Sequence, residues 1–210
     1  RAQMSEGKSD LRLYLIASAA KDSVSTQLGW QNAEKVTNAG VIKTITKLSN
    51  ELGKMKAQMI IQPTQVILSD SIWNIGEAKI DLNTDSTIDI HNFRFEKKAQ
   101  YVQINGKASK NISDSITVSM NDLDVEYVLK LVRLTGITIS GLASGNASLV
   151  RVLSQPIFLA NLKVKDLALN HTVLGNANVK SAWDKEHKQL LLGADIFKKN
   201  NDTLVIAMGV

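Results

Sequence analysis

Apolar residues alternate with polar or small ones between Pro156 and Ile196, and this alternation constrains the fold more than any other sequence feature. Leu162 and Val164, for example, are separated by Lys163. Successive side chains of a β-strand point to opposite faces, so a period of two is typical of a strand with one buried face. The stretch therefore predicts a meander of antiparallel strands with one apolar face and one polar face.

The alternation changes phase after Lys165, where Leu167 and Leu169 become the apolar positions. A phase change inside a strand predicts a β-bulge or a tight corner. Turns are predicted at residues 170–171 and 184–187, because Asn and Asp side chains favour turn conformations.

The same alternation recurs along most of the 210 residues. Before the meander it predicts strands at 11–19, 24–30, 41–48, 55–61, 66–68, 72–74, 78–82, 88–95, 102–108, 116–120 and 147–153. Residues 41–55 also fit a helical spacing, but the β-branched residues of 41–48 favour a strand. About a dozen strands exceed what an open flat sheet usually holds. We therefore expect an all-β fold with one long, strongly curved antiparallel sheet, as an open trough or a sandwich, in a single domain over 1–210.

One segment departs from the period of two and predicts a short helix over 122–134. Its apolar residues recur at helical spacing, namely Val125, Val128, Leu129 and Val132. Asn121 or Asp122 is the expected N-cap, and Gly136 the expected end. We expect this helix to plug an edge or an opening of the sheet.

Glycines follow this helix at positions 141 and 145. Small residues at this density predict a strand that bends sharply or that another backbone approaches closely.

The residue types argue against an enzyme. The chain has no cysteine, which excludes a disulfide framework, a thiolate metal site and a cysteine nucleophile. His91, His171 and His187 lie far apart, without a carboxylate or a second histidine at ligand spacing. No GxSxG motif, Walker loop or dinucleotide-binding fingerprint occurs. We therefore expect no catalytic residue, no metal site and no cofactor.

The net charge of +5 does not point to nucleic acid as a partner. The lysines are scattered over polar strand faces and turns, and no aromatic residues are interleaved with them. We expect solvated strand faces and no nucleic-acid partner.

No segment has the length of a membrane-spanning helix, since the longest candidate, Leu11 to Ala20, is too short and contains Arg12. The sequence starts on Arg and stops within an apolar alternation over 204–210. We expect a fragment of a longer protein whose sheet continues beyond both ends.

Several short stretches occur in an order that points to a known family. They are Pro63-Thr64 before Asp70-Ser71-Ile72-Trp73, Ile90-His91-Asn92-Phe93, Ile104-Asn105-Gly106, the segment after Asn121-Asp122-Leu123, Gly141 and Gly145 before Ala147-Ser148-Leu149, and Leu174-Gly175-Asn176 before Ala182-Trp183-Asp184. Over residues 40–210, this succession resembles the C-terminal region of the TamB family (translocation and assembly module) of AsmA-like envelope proteins.

The resemblance implies a non-enzymatic module in the periplasm of a Gram-negative bacterium, in a parent anchored in the inner membrane by a segment outside this sequence. It implies a U-shaped β-structure, a β-taco, with an apolar interior. It also implies a TamA-like barrel partner in the outer membrane. The expected cargo is a nascent outer-membrane protein strand or phospholipid moving between the two membranes.

The apolar positions of the predicted strands supply a candidate trough lining. They are Val102, Ile104, Ile116, Val118, Phe158, Leu162, Val164, Val179, Trp183, Leu190, Leu192 and Ile206. An aliphatic lining suits acyl chains, which gain about 0.8 kcal/mol for each buried CH₂. The same residues could instead fill the core of a structural or adhesive all-β scaffold without a ligand. The periodicity leaves both interpretations open.

Asp followed by Ser or Thr recurs at residues 22–23, 70–71, 85–86, 114–115 and 202–203. The pairs fit turns that precede strands. They also fit an O-glycosylation signal of exported bacterial proteins.

Overall fold

A computed structural model describes residues 2–6, 9–32, 37–51, 53–127, 138–184, 186–187, 189–198 and 203–209. Sixteen strands occur in this part of the chain: β1 (Ala2–Glu6), β2 (Ser9–Ala20), β3 (Ser23–Asn32), β4 (Ala39–Glu51), β5 (Lys54–Ile61), β6 (Thr64–Leu68), β7 (Ser71–Ile75), β8 (Ala78–Leu82), β9 (Ile88–Lys97), β10 (Gln100–Ala108), β11 (Ser115–Asp124), β12 (Ile139–Val150), β13 (Ile157–Leu169), β14 (Thr172–Asp184), β15 (Gln189–Phe197) and β16 (Thr203–Gly209). The fold is therefore all-β and antiparallel, as the alternation predicts.

The chain forms two compact units, and β10 contributes residues to both. The first unit comprises residues 1–98 and 103–107, and the second comprises 99–102 and 108–210. The single domain expected over 1–210 stays a prediction.

In the first unit, neighbouring strands follow the order β1-β2-β3-β4-β5-β8-β9. The hairpin β6–β7 pairs with β4 on one side and with β9 on the other. It thus lies between β4 and β9, the two strands that β5 and β8 separate elsewhere in the sheet. Its turn residues Ser69 and Asp70 both have positive φ, which is typical of a two-residue hairpin.

The hairpin also builds the core of the first unit. Val66 and Ile75 from the hairpin are buried together with Ile61 and Ala78 from β5 and β8. The rings of Trp73 and Phe95 stack with centroids 4.7 Å apart.

The second unit is a meander in which β11 to β16 pair in sequence order. The predicted phase change in β13 is present, because the register shifts between Val164 and Leu167, and Asp166 has a φ of 51°. A further shift follows Leu167, which brings Ala168 rather than Leu169 into a buried position. The predicted turn at 170–171 is present, with positive φ at both residues.

Two glycines of β12 confirm the predicted close approach of backbones. Gly141 and Gly145 have φ of 142° and 136°, values that side-chain-bearing residues rarely adopt. A Cβ at Gly145 would collide with the carbonyl oxygen of Asn161 on β13.

The predicted N-cap of the helix is wrong. Asn121 and Asp122 lie inside β11, where Asp122 has a φ of 47° within a register shift. Helical structure begins at Val125, and Asp124 caps it, since the Tyr127 N–H donates to Asp124 Oδ1 at 3.2 Å. The polar residues before the helix therefore belong to a bulge rather than to the cap. Of the remaining predicted helix residues, Val128, Leu129, Val132 and Gly136 lie outside the described part of the chain.

Most of the Asp-Ser/Thr pairs stand where a strand begins. Ser23, Ser71, Ser115 and Thr203 are the first residues of β3, β7, β11 and β16, and Ser86 lies in the turn between β8 and β9. Their positions agree with turn chemistry, and glycosylation stays a prediction.

Candidate functional site

One side of β11–β15 carries an apolar surface, which we call the meander face. It consists of Ile116, Val118 and Met120 on β11, Ala143, Gly145, Ala147 and Leu149 on β12, Phe158, Ala160, Leu162 and Val164 on β13, Ala177, Val179, Ser181 and Trp183 on β14, and Leu190, Leu192, Ala194 and Ile196 on β15. None of these residues is charged. The period of two assigns them to the same side of the meander, because register partners share a face.

The strand register lines up these residues in rows that cross the strands. One row runs through Met120, Gly145, Leu162, Val179 and Ala194. Residues directly opposite each other on neighbouring strands share a face, so the row crosses all five strands. With about 4.8 Å between neighbouring strands, five strands give a row about 19 Å long.

The opposite side of the same strands carries charged and polar residues as well as apolar ones such as Ile157 and Leu191. The exposed residues Asn161, Lys163 and Lys180 point to that side. Ser119 donates a hydrogen bond from its hydroxyl to Asn146 Oδ1 across β11 and β12, at 2.7 Å. The lysines of β13 and β14 thus lie on the side opposite to the meander face.

One end of the meander face is filled. Ala143, Val164, Ala177 and Ile196 form a buried cluster, and the side chain of Val164 is only 6% exposed. Val125 of the helical segment packs against this cluster. A closed core, one of the two interpretations that the sequence leaves open, therefore describes this end.

Other positions of the meander face remain accessible. Phe158 is 41% exposed, and Trp183, Leu190 and Leu192 are half-buried, whereas Ile116, Ala147 and Ala160 on this part of the face are buried. No titratable group lies among these side chains. This accessible part can contact an apolar ligand, but it offers no group for acid–base chemistry.

The structure brings together most of the residues predicted as trough lining. Those on the meander face are Ile116, Val118, Phe158, Leu162, Val164, Val179, Trp183, Leu190 and Leu192. Val102 and Ile104 are half-buried on β10. Ile206 of β16 is in register with Ala194. Of the predicted plug residues, Val125 meets the buried cluster at the filled end.

Sequence reasoning gave no role to Ser181, the one hydroxyl of the meander face. Its Oγ accepts a hydrogen bond from the Ala160 N–H at 2.7 Å and donates one to the Phe158 carbonyl at 3.2 Å. Backbone pairing of β13 with β14 ends at the Asn161–Lys180 pair, and beyond it the Ser181 hydroxyl connects the two strands. A single polar residue within an apolar alternation was the signal that could have revealed this role.

The histidines lie in turns or on the exposed surface. His187 Nδ1 lies 2.7 Å from Asp184 Oδ2 in the turn between β14 and β15, and this hydrogen bond holds the pKa of Asp184 below its usual value. His91 pairs with Asp81 on the exposed surface, at 3.1 Å. No group of three or more His, Cys, Asp or Glu side chains in the described ranges could hold a metal ion.

The first unit contains a groove of about 450 Å³. It is lined by residues that include Lys47, Lys56, Asp81 and Asp89. Because cationic and anionic groups face each other there, the groove has no single charge that would select a ligand.

Comparisons of the chain with protein-family models, with curated proteins and with solved structures find no match. Within the described residues, no helix combines the length and the apolar character needed to cross a bilayer. The resemblance to TamB-like envelope proteins therefore stays a prediction from the sequence.

Proposed function

We propose that this chain is a non-enzymatic module of a TamB-like envelope protein in the periplasm, and that its meander face shelters phospholipid acyl chains. The observation that carries this proposal is the apolar face itself. It extends without charge across β11–β15, while the exposed lysines of β13 and β14 point to the other side.

The dimensions of the face suit an acyl chain. The hydrocarbon core of a bilayer is about 30 Å thick, so the chains of one leaflet span about 15 Å. A row of about 19 Å across the five strands β11–β15 can therefore accommodate one chain along its length.

The energetics suit transfer between two membranes. Covering half the surface of one chain of about 15 methylenes contributes on the order of 6 kcal/mol relative to water. This gain opposes the cost of ordering the lipid on the protein. The free energy of transferring the chains from a bilayer to the face is close to zero, because the chains of a bilayer already lie in an apolar medium. The face can thus keep a lipid from water and still release it at a membrane.

In this proposal the parent protein acts with a TamA-like outer-membrane barrel partner in outer-membrane protein assembly and in phospholipid transport between the inner and outer membranes. A nascent outer-membrane strand is the second cargo that an apolar face would accept, because its alternate side chains are apolar.

A structural scaffold without ligand is the second candidate function. The buried cluster around Val164 favours it, since a filled core needs no ligand to cover it. The accessible residues of the face, above all Phe158, favour the lipid-sheltering function.

The substitution Leu192→Asp tests the proposal. Leu192 is half-buried on the meander face. A carboxylate at this position would lose its hydration on contact with an acyl chain, so the contact would cost free energy. The wild-type chain, purified from a bacterial envelope, should carry phospholipid in native mass spectrometry and lipid extraction. Leu192→Asp should lose this lipid while far-UV circular dichroism still reports β-structure.

Leu191→Asp is the matched control, because Leu191 is the adjacent residue, lies on the opposite face and is 41% exposed. It should retain the lipid. A wild-type chain without lipid, or equal lipid loss in both folded variants, would contradict the proposed function.

A further inference from the structure

The groove of about 450 Å³ in the first unit separates positive from negative charge along its length. It contains a row of register partners that crosses four strands, namely Lys47 of β4, Gln58 of β5, Asp81 of β8 and Asp89 of β9. Neighbouring strands lie about 4.8 Å apart, so the backbones of Lys47 and Asp81 are about 10 Å apart. The lysine therefore lies at one end of the row, and the two carboxylates lie at the other.

The cationic end of the groove carries two lysines and a hydroxyl. Lys56 is in register with Ser49, in the row next to that of Lys47. All three side chains line the groove and are exposed. Lys47 makes no ion pair with another residue in the described ranges. Two ammonium groups and a hydroxyl are hydrogen-bond donors that suit the oxygens of a phosphate group.

The anionic end of the groove places two carboxylates directly opposite each other. Asp81 and Asp89 are register partners on β8 and β9, and both are half-buried. Like charges at directly opposite positions of an antiparallel pair are destabilising. His91 lies 3.1 Å from Asp81, whereas Asp89 makes no ion pair with the part of the chain that the structure describes. A cation between the two carboxylates would reduce their repulsion.

The carboxylate of Asp89 is held in place by one oxygen, which leaves the other oxygen available. Asn83 Nδ2 donates a hydrogen bond to Asp89 Oδ2 at 2.7 Å, and no described residue donates to Asp89 Oδ1. Asp81 uses both oxygens, since Gln58 Nε2 donates to Oδ1 at 2.9 Å and His91 Nε2 lies 3.1 Å from Oδ2. Asp89 is therefore the acceptor for a ligand, and Asp81 adds negative potential beside it.

We propose that this groove binds a zwitterion in which a short chain joins a phosphate to a primary ammonium group, as in phosphoethanolamine. The phosphate contacts Lys47 and Lys56, and the ammonium group contacts Asp89 beside Asp81. Lys56 is the diagonal neighbour of Asp81 across β5 and β8, at about 7–8 Å, a distance that a short zwitterion spans.

The arrangement of charges distinguishes a zwitterion from a simple ion. A ligand with only one charge is attracted to one end of the groove and repelled by the other, whereas a zwitterion is attracted at both ends. This inference does not depend on the lipid-sheltering function, because the groove and the meander face belong to different units.

A titration of the full chain with phosphoethanolamine, followed by NMR, tests the proposal. The side-chain amide of Gln58 and the backbone amide of Asp89 should show saturable shifts. We expect a dissociation constant in the millimolar range, because ion pairs with exposed lysines are weak. Inorganic phosphate and ethanolamine, each added alone, should bind on the order of fivefold more weakly, since each makes only one of the two charged contacts.

Two variants separate the two ends of the groove. Asp89→Asn keeps the shape of the side chain and removes its charge, so it should weaken phosphoethanolamine binding on the order of fivefold without weakening the binding of inorganic phosphate. Lys47→Gln should weaken phosphoethanolamine binding to a similar degree without weakening the binding of ethanolamine. Lys43→Gln is the matched control, because Lys43 is exposed on the same face of β4 but does not line the groove. It should leave all three affinities unchanged.

The same chemistry could come from a free zwitterion or from a lipid headgroup. Phosphatidylcholine vesicles with and without phosphatidylethanolamine distinguish these sources, since the quaternary ammonium group of phosphatidylcholine has no N–H to donate to Asp89. Signals of the groove that respond only to vesicles with phosphatidylethanolamine would identify the headgroup as the source. A response to soluble phosphoethanolamine alone would identify a free zwitterion.

Three results would overturn the proposal. One is binding of inorganic phosphate as tight as that of phosphoethanolamine, because the carboxylates would then have no role. Another is an equal effect of Asp89→Asn and Lys43→Gln on phosphoethanolamine binding. The third is the absence of saturable shifts in the groove at ligand concentrations far above the millimolar range.

Discussion

At the residue scale, the second unit depends on positions where the backbone leaves ordinary strand geometry. Gly145 is one of them, since its φ of 136° and the nearby Asn161 carbonyl leave no room for a side chain. Asp166 and Asp122 take positive φ in the register shifts of β13 and β11. Lys165 donates to Asp122 Oδ1 at 3.0 Å and thereby connects the two irregular segments across β12.

Gly145→Ala should therefore destabilise the fold by about 2 kcal/mol or more, because it adds backbone strain and a steric collision with β13. Gly76→Ala is the control, since Gly76 is exposed and a Cβ there would meet no atom within 4 Å. That variant should change the free energy of unfolding by less than about 1 kcal/mol. Urea denaturation measures both values, and equal effects of the two substitutions would contradict this role of Gly145.

At the scale of the strands, local alternation predicts which segments form strands better than it predicts which strands pair with each other. The strands of the meander are predictable because side-chain direction in a strand depends only on the local backbone. The position of the hairpin β6–β7 between β4 and β9 is not predictable in this way, because such pairings depend on contacts between residues that are distant in sequence. The alternation predicts Leu169 at the buried position, but Ala168 occupies it. This difference was also not predictable, since the second register shift leaves no local sequence signal.

The candidate site was predictable to the same degree. Alternation identified Leu162, Val179 and Leu192 as members of one apolar face, and register confirms that their strands align. It could not separate the buried positions of that face from the accessible ones. The difference depends on what packs above the strands, such as Val125.

The helical segment gives a prediction at the same scale. Asp124→Ala should speed hydrogen exchange of the Tyr127 amide, because it removes a cap worth about 0.5–2 kcal/mol. Asn121→Ala should leave that amide unchanged, since Asn121 bonds instead to the Ala99 carbonyl at 2.8 Å. Hydrogen exchange followed by NMR distinguishes the two variants. An effect of Asn121→Ala alone would show that Asn121, and not Asp124, caps the helix.

At the scale of the whole molecule, the proposed contact with lipid rests on the separation of charge from apolar surface in the second unit. The lysines of β13 and β14 occupy one side of the strands, and the meander face on the other side is uncharged.

The most direct measurement is paramagnetic broadening of leucine methyl signals by a phospholipid with a spin label on its acyl chain. If the meander face shelters acyl chains, the methyl signals of Leu192 and Leu162 should broaden strongly. Those of Leu191, on the opposite face of β15 and farther from the label, should broaden much less. Equal broadening on both faces, or none at saturating lipid, would contradict the account.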